Sequence, residues 1–277
     1  MGLQGDCLRE IDVSVARVFE ALPENEELAQ WMRRYAIDHT RRLARDLWQI
    51  TQSTPKRSRI LEFGSSPFFL TDALVRAGYS VVGLDIAASQ YSEIIARCEL
   101  DIRGIDFETD TVPFENEAFD VALFNEVFEH LRVDLIATMS EVHRVLRPGA
   151  TLWLSTPNHR SLVGLWTLLW HHRGCHVCPD LFYEYEKLRL YGHMGHVREY
   201  TAHEVSDLLG RIGFQTRRIH FRYYRPRRRG SFALVVRDVI ERAVTTLLPG
   251  FRPMFSLECE RAQPSLPGVR RNDRQPT

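Results

Sequence analysis

Apolar residues recur at helical spacing over residues 8–50, with a proline, Pro23, near the middle. Because proline removes a backbone donor and clashes with the preceding turn, this pattern predicts two helices that break near Pro23. Residues 51–57 are polar and include a proline, as is typical of a linker. We therefore expect an N-terminal helical segment over residues 1–57.

From residue 59 onward, short apolar runs alternate with amphipathic segments. Strands are predicted at 59–63 and 80–84, in a third segment that reaches Asp106, and at 119–124 and 151–155, after a turn at Pro148-Gly149. Helices are predicted at 67–77, 88–98, 133–146 and 201–212. The last elements are a strand at 214–223, a helical pattern at 232–251 and a strand near 255–259. Strands that alternate with helices indicate βαβ units and a parallel sheet.

The fold class expected from this order is α/β, a Rossmann-like sheet of seven mostly parallel strands with helices on both faces. The main domain would run over residues 58–260, with a cap insertion at about 157–200. Residues 261–277 are rich in proline, arginine and polar groups, so we expect a disordered tail.

Composition places the chain among ordinary globular proteins, with 44% hydrophobic and 26% charged residues. The net charge of zero gives no global argument for a nucleic-acid partner. Only Lys56 and Lys187 are lysines, so clusters of arginine reflect a general preference and carry less weight. There is no apolar signal segment, and the five scattered cysteines favour free thiols, so we expect a cytoplasmic protein.

Ligands of doubly wound sheets bind at the carboxyl ends of the strands. Glu62 lies in the last two residues of the first predicted strand, and the turn that follows contains Gly64, Ser65 and Ser66. Small residues in such a turn let backbone N–H groups approach a carboxylate at a helix N-terminus. A dinucleotide fits poorly, because the turn has one glycine of the G-x-G-x-x-G pattern.

Two further strand ends supply complementary groups. Asp85 follows the second strand, where a carboxylate can accept both hydroxyls of a ribose. Asp106 and Phe107 follow the third, and could offer an acceptor to an adenine amine and an apolar edge to its ring. Together the three ends suit a ligand with one carboxylate, a ribose and an adenine.

Five segments resemble the motifs of class I S-adenosylmethionine-dependent methyltransferases, in that family's order and spacing. They are residues 60–68, 81–85, 112–121, 125–131 and 146–150. The resemblance implies S-adenosylmethionine as the cofactor and extends its contacts to Ile86 and Asn125. The second and third glycines of the family's first motif are replaced by Ser66 and Phe68, which leaves a catalytically degenerate binding protein as an alternative.

Glu126, Glu129 and His130 are spaced i, i+3 and i+4, so one helical turn would place them on one face. One interpretation is capping and support of the cofactor loop. In the similar ubiquinone-pathway O-methyltransferases, a Glu-x-x-Glu-His run at this place is implicated in binding a divalent metal. Many relatives share the run with no metal attached, so we assign none and treat Glu126 and His130 as candidate catalytic residues.

Residues 157–200 form an aromatic insertion, which in this family often caps the acceptor pocket. The segment 192–201 borders the acceptor site in similar proteins, which makes His196 the first candidate base; the alternative is that it anchors the loop. Cys175-x-x-Cys178 with His193-x-x-His196 could also form a zinc site, but free thiols and cap residues are favoured.

Residues 217–229 contain seven arginines and precede the amphipathic pattern at 232–251. Such a pair could lie on an anionic membrane, or be a solvated surface beside a docked helix. The function we expect is methyl transfer to a small molecule, with oxygen favoured and a lipid-linked, sugar or quinone-type acceptor. The arginines keep a nucleic-acid methyltransferase as an alternative, although no Asn/Asp-Pro-Pro-Tyr motif occurs.

Overall fold

The computed structural model describes residues 2–174, 178, 180–191, 195–223 and 232–262. The helices are α1 (Gly2–Glu20), α2 (Glu26–Ser53), α3 (Phe69–Arg76), α4 (Ser92–Arg97), α5 (Leu135–Val145), α6 (Leu162–His171), α7 (Leu181–Tyr191), α8 (Ala202–Ile212) and α9 (Phe232–Leu247). The strands are β1 (Arg59–Phe63), β2 (Ser80–Asp85), β3 (Asp101–Gly104), β4 (Phe119–Asn125), β5 (Leu146–Pro157), β6 (Phe214–Arg222) and β7 (Met254–Arg261). Short 3-10 turns lie at Ala88–Tyr91, Phe128–His130 and Pro249–Phe251.

One compact unit contains the described parts of residues 1–105 and 222–250. Its strands lie in the order β3-β2-β1, and both neighbouring pairs are parallel. β1 and β2 are buried almost throughout, as their continuous apolar sequences require of parallel strands covered on both faces. β3 ends at Gly104, two residues earlier than expected, so Asp106 lies in a loop.

The N-terminal helices of this unit break where the sequence predicts. α1 ends at Glu20, and α2 begins after Asn25, whose side chain caps the new helix by accepting from the Leu28 N–H at 3.1 Å. Arg17 of α1 pairs with the buried Asp72 of α3 at 2.9 Å. The helices therefore pack on the βαβ framework of the same unit.

The second unit contains the described parts of residues 106–221 and 251–277. Its strands lie in the order β4-β5-β7-β6, with β4 and β5 parallel and β5 and β7 antiparallel. The predicted strand near 255–259 is confirmed as the buried strand β7. The predicted helix at 201–212 is confirmed as α8, which begins with a capping box between Thr201 and Glu204.

The turn predicted at Pro148-Gly149 is wrong as a boundary, because β5 begins earlier, at Leu146. Leu146 pairs with Phe119, and the next paired residues are Thr151 and Val121. The extra residues 147–150 therefore form an irregularity inside the ladder, in which Gly149 takes a φ of +76°. A Pro-Gly pair is found in a bulge of this kind as well as in a turn, so the sequence does not distinguish the two.

The cap insertion contains α6 and α7 within its described residues. None of the described helices combines the length and apolar character needed to cross a membrane. The disordered tail was expected at 261–277, but Arg261 ends β7 and the Ala262 N–H donates to the Gly213 carbonyl, so the tail was predicted to begin too early. The rest of the tail lies outside the described residues.

Candidate functional site

The turn after β1 is fixed to the end of β2. Gly64 takes a φ of +67°, and the N–H groups of Gly64 and Ser65 both donate to the Leu84 carbonyl, at 2.8 and 3.3 Å. The close approach depends on Gly83, because a Cβ there would lie 2.6 Å from Ser65 Oγ. Ser65 Oγ is buried and has no hydrogen-bond partner among the described residues.

Phe68 keeps the backbone shape that a glycine would give this turn. It takes a φ of +68° immediately before α3, a conformation that bulky residues rarely adopt. Its ring is fully buried and meets Tyr91 edge-on, with centroids 5.3 Å apart. Burial therefore offsets the backbone strain, and the departure from the expected glycine leaves the turn in a left-handed conformation.

Asp85 ends β2 and is buried. Its Oδ2 accepts from the Ser66 N–H and its Oδ1 from the Ala87 N–H, each at 2.8 Å. Since a carboxylate oxygen accepts two hydrogen bonds, each oxygen can accept one more. Ile86 beside it is exposed, so an apolar side chain stands next to this acceptor.

Glu62, at the end of β1, is buried and accepts from Thr71 Oγ1 at 2.5 Å. The pKa of Glu62 is raised to about 8, mainly by burial; the carboxylates of Asp85 and Asp46 also raise it, whereas the hydrogen bond from Thr71 and the charge of Arg42 lower it. The side chain is therefore protonated at neutral pH, and a cation placed beside it would favour its ionised form.

A polar cluster on α2 was missed by the sequence reasoning. Arg42 is buried; it donates to the Tyr35 hydroxyl at 2.7 Å and to His39 Nδ1 at 3.3 Å, and Asp46 lies 3.7 Å away. Burial and the charge of Arg42 lower the pKa of His39 to about 3, which keeps its ring neutral. Asp46 also pairs with Arg222. The signal was available, because polar residues at i, i+4, i+7 and i+11 share one face of α2.

Asp106, Phe107 and Asn125 belong to the second unit. Asp106 Oδ1 accepts from the Glu108 N–H at 3.0 Å and so closes a local turn. Phe107 is buried against Phe124, with centroids 6.0 Å apart. Asn125 ends β4, and its buried Nδ2 has no hydrogen-bond partner within the described part of the chain.

The expectation that Glu126, Glu129 and His130 share a helical face is wrong. Glu126 takes a φ of +57° and precedes the 3-10 turn, and its carboxylate accepts from Ser155 Oγ at 2.7 Å. Glu129 is buried and accepts from Thr156 Oγ1 at 2.8 Å. Because the backbone of Glu126 is left-handed, the carboxylates of Glu126 and Glu129 accept from different hydroxyl groups of β5.

His196 joins Glu129 and His130 from a distant part of the sequence. Its Nε2 lies 3.8 Å from a Glu129 oxygen, and its Nδ1 lies 3.9 Å from an oxygen of the buried Glu199. The rings of His130 and His196 are perpendicular, with centroids 5.0 Å apart. One ligand atom from each of Glu129, His130 and His196 lies within 4.8 Å of the others, as a bound cation would require.

Two hydrogen bonds from backbone N–H groups hold the loop that carries His196. The Val197 N–H donates to the Glu129 carbonyl at 2.8 Å, and the His196 N–H donates to Cys178 Sγ at 3.2 Å. The zinc alternative also needs Cys175 and His193, which lie outside the described residues. Cys178 itself contacts the His196 backbone, so in this arrangement its sulfur holds the loop.

A family model described as a methyltransferase domain matches residues 28–219. The chain belongs to the class I S-adenosylmethionine-dependent methyltransferases. A ubiquinone biosynthesis O-methyltransferase from Bradyrhizobium sp. (strain ORS 278) is 31% identical over 141 residues, 46% of this chain and 55% of the relative. The one from Pseudomonas aeruginosa (strain LESB58) is 24% identical over 157 residues, 55% and 67% of the two chains. The methyltransferase thus spans about half to two thirds of the length of these curated relatives.

Solved methyltransferases share the fold. One from Thermotoga maritima has a TM-score of 0.53 at 16% identity and covers 85% of this chain and 97% of its own. Another, from Mesorhizobium loti, has a TM-score of 0.52 at 16% identity and covers 77% and 97%. The expected Rossmann-like α/β class is confirmed, and S-adenosylmethionine follows as the cofactor of the family.

The first unit of this methyltransferase offers groups that fit S-adenosylmethionine. Asp85 has free acceptor capacity for ribose hydroxyls, and Ser65 Oγ is a buried polar atom without a partner. Glu62 and Arg42 are an acid and a cation buried near each other, which matches the ammonium and carboxylate of the methionine part. These contacts remain predictions for each residue.

Proposed function

We propose that this methyltransferase transfers the methyl group of S-adenosylmethionine to a hydroxyl of a small molecule, with His196 as the base. The observation that carries the proposal is the position of His196 between two buried carboxylates, Glu129 and Glu199. Two carboxylates beside an imidazole stabilise its protonated form and thereby strengthen it as a proton acceptor. A hydroxyl acceptor needs such a group, because it loses a proton on methylation.

The cofactor would be held by the strand ends of the first unit. Asp85 would accept from the ribose hydroxyls, and Ile86 would lie against the adenine. The turn of Gly64, Ser65 and Ser66 would approach the methionine part, whose ammonium and carboxylate suit Glu62 and Arg42. Asp106, Phe107 and Asn125 belong to the second unit, and their contacts with the cofactor stay predictions from the sequence.

The bound cofactor supplies an electrophilic methyl group on a good leaving group, so the protein mainly positions the reactants. His196 would take the acceptor proton, with its ring oriented by Glu129 and Glu199. His130, whose Nδ1 lies 3.1 Å from the Gly195 carbonyl, supports the loop and flanks the same space. Glu126 accepts a hydrogen bond from Ser155 and would help to fix the backbone at the end of β4.

The same geometry gives a metal-assisted variant of this function. Glu129, His130 and His196 could hold a divalent cation that binds the acceptor oxygen and lowers its pKa. Chelation of the purified enzyme followed by addition of magnesium or zinc tests this variant. An unchanged rate under all three conditions would leave His196 as the base without a cation.

The two alternative functions, a catalytically degenerate binding protein and a nucleic-acid methyltransferase, are less well supported. A degenerate binding protein is disfavoured because Phe68 keeps the left-handed turn that the missing glycine would provide. A nucleic-acid methyltransferase has less support, because the three arginines of the run that the structure describes, Arg217, Arg218 and Arg222, pair with Glu260, Glu258 and Asp46. The other four arginines lie outside the described residues. Among the lipid-linked, sugar and quinone-type acceptors expected from the sequence, the relatives named as ubiquinone biosynthesis O-methyltransferases support the quinone type.

The test is transfer of labelled methyl to a panel of catechols, sugars and carboxylic acids. His196→Asn should lower kcat by roughly 10²–10⁴-fold and leave cofactor affinity by calorimetry unchanged. His203→Asn, an exposed histidine on α8, is the matched control and should keep full activity. Normal turnover of His196→Asn would make His196 a structural residue, and cofactor binding without transfer to any hydroxyl would return the degenerate alternative.

A further inference from the structure

The C-terminal half of α6 presents an apolar face to solvent. Trp166, Leu169 and Trp170 are spaced i, i+3 and i+4, so they lie on one side of the helix. Their exposed fractions are 53%, 62% and 61%. The two indole rings stack, with centroids 4.3 Å apart and an angle of 9° between their planes. The face is therefore a preformed aromatic plate in water.

The helix as a whole has no charged residue other than a terminal histidine. Its sequence is LVGLWTLLWH, and within it Gly164 is the buried residue. A helix that is apolar all round normally lies in a core or in lipid. Ten residues are too short to cross a bilayer. The remaining solution is a helix that lies at the surface of an apolar phase.

The first turn of α6 is closely packed against the residues that follow β5, next to the proposed site. Ser161 caps the helix by accepting from the Gly164 N–H at 3.0 Å, and a Cβ on Gly164 would lie 2.4 Å from the His159 carbonyl. Residue 159 follows β5 by two positions, and β5 carries Ser155 and Thr156, the partners of Glu126 and Glu129. The apolar helix thus continues from the strand end that carries the hydrogen-bond partners of Glu126 and Glu129.

The side chains favour a phospholipid surface over a protein partner. Trp and Tyr prefer the boundary between headgroups and acyl chains, because one end of the ring is apolar and the other forms hydrogen bonds. α7 also exposes an aromatic set, which consists of Phe182, Tyr183 and Tyr185. His171, His172 and Arg173 follow the Trp pair and are all exposed, so they can meet lipid phosphates. A face of Leu and Trp offers few groups that would fix the orientation of a protein partner, whereas a fluid layer requires none.

We propose that α6 inserts its Trp166–Leu169–Trp170 face into the interfacial layer of a phospholipid bilayer and holds the methyltransferase site at the membrane surface. The functional advantage of this contact rests on the proposed function, because a lipid-linked acceptor would then reach the site without leaving the bilayer. Insertion is driven by burial of apolar surface, so binding should persist at high salt. A purely electrostatic contact would disappear under the same conditions.

The test is co-sedimentation of the full chain with vesicles of phosphatidylcholine alone and of phosphatidylcholine with phosphatidylglycerol, at low and high salt. The double variant Trp166→Ser/Trp170→Ser should lower the partition coefficient at least about tenfold in both vesicles. Trp31→Ser is the matched control, because Trp31 is 44% exposed on α2 and outside the insertion. Brominated lipids should quench the fluorescence of the wild-type and Trp31→Ser proteins, and of the double variant far less.

Three results would overturn the proposal. They are equal vesicle binding by the double variant, no sedimentation of the wild-type chain with either vesicle, and a concentration-dependent dimer that the double variant abolishes. The dimer would identify α6 as a contact between copies of this chain. Cofactor affinity and methyl transfer to a tail-less catechol, measured without vesicles, report on the proposed function independently and should be the same in the double variant and the wild type.

Discussion

Replacement of Glu62 by glutamine should make the cofactor-free protein more stable at alkaline pH. Glu62 is buried at the end of β1, and burial raises its pKa from 4.5 to about 8. In the unfolded chain the same carboxyl ionises near its ordinary value. Between these two pKa values the folded state holds a proton that the unfolded state has lost, so the stability of the wild-type protein falls as pH rises.

The magnitude follows from the two pKa values. Their difference corresponds to about 5 kcal/mol over the full range, and to roughly 3 kcal/mol between pH 5.5 and 8. Glutamine keeps the shape and a hydrogen-bond acceptor for Thr71, and it has no proton to lose. His39, whose pKa is lowered to about 3, adds its own pH dependence below its ordinary value, but equally in both proteins.

Urea unfolding of the cofactor-free proteins at several values between about pH 5.5 and 8.5 measures the effect. The difference in unfolding free energy between Glu62→Gln and the wild type should grow with pH in favour of the variant. The same variant should bind S-adenosylmethionine more weakly, because a neutral amide attracts an ammonium less than a carboxylate does. Parallel pH profiles for the two proteins would show that Glu62 does not hold a proton in the fold, and the reasoning from burial would fail.

Three further changes test other parts of the framework. Asp85→Ala should weaken S-adenosylmethionine binding by about 1–3 kcal/mol in calorimetry, while Asp101→Ala on β3 should not, because its carboxylate is exposed. Arg222→Met should lower the unfolding free energy by about 3 kcal/mol, since it leaves the buried Asp46 with one fewer cationic partner. Phe68→Gly should cost about 2–4 kcal/mol, because the loss of a buried ring outweighs the relief of its backbone.

The fold was predictable because its signals are local. Alternating apolar runs and amphipathic segments indicated the order of strands and helices, and the helix predicted at 201–212 begins one residue later, at Ala202. The helix predicted at 88–98 is divided into a 3-10 turn at Ala88–Tyr91 and α4 at Ser92–Arg97. The bulge at 147–150 was not predictable, because a Pro-Gly pair gives the same signal for a turn and for an irregular strand. Its outcome depends on how β4 pairs with β5.

The candidate site was predictable only in part, because its contacts join distant segments. Asp85 and Gly64 follow from strand ends that any parallel sheet brings together. The approach of His196 to Glu129 crosses many residues, and nothing local specifies it. Glu126 was expected on one helical face with Glu129 and His130, but its own left-handed φ ends the helical geometry before the 3-10 turn begins. The polar face of α2 around Arg42 was overlooked because its residues resemble a solvated helix until their burial is known.

The membrane contact expected of the arginine-rich segment at 217–229 stays a prediction, because four of its seven arginines lie outside the described residues. The run at 217–229 suggested an electrostatic contact, yet Arg222 is buried against Asp46, and Arg217 and Arg218 pair with acids on β7. A paired arginine contributes little to attraction by an anionic surface, because its field is largely cancelled at short range. An exposed apolar face lies on α6, where no arginine is present. If α6 meets a bilayer, the contact should depend on the indoles and resist salt, whereas a contribution from the arginines would fade as the salt concentration rises.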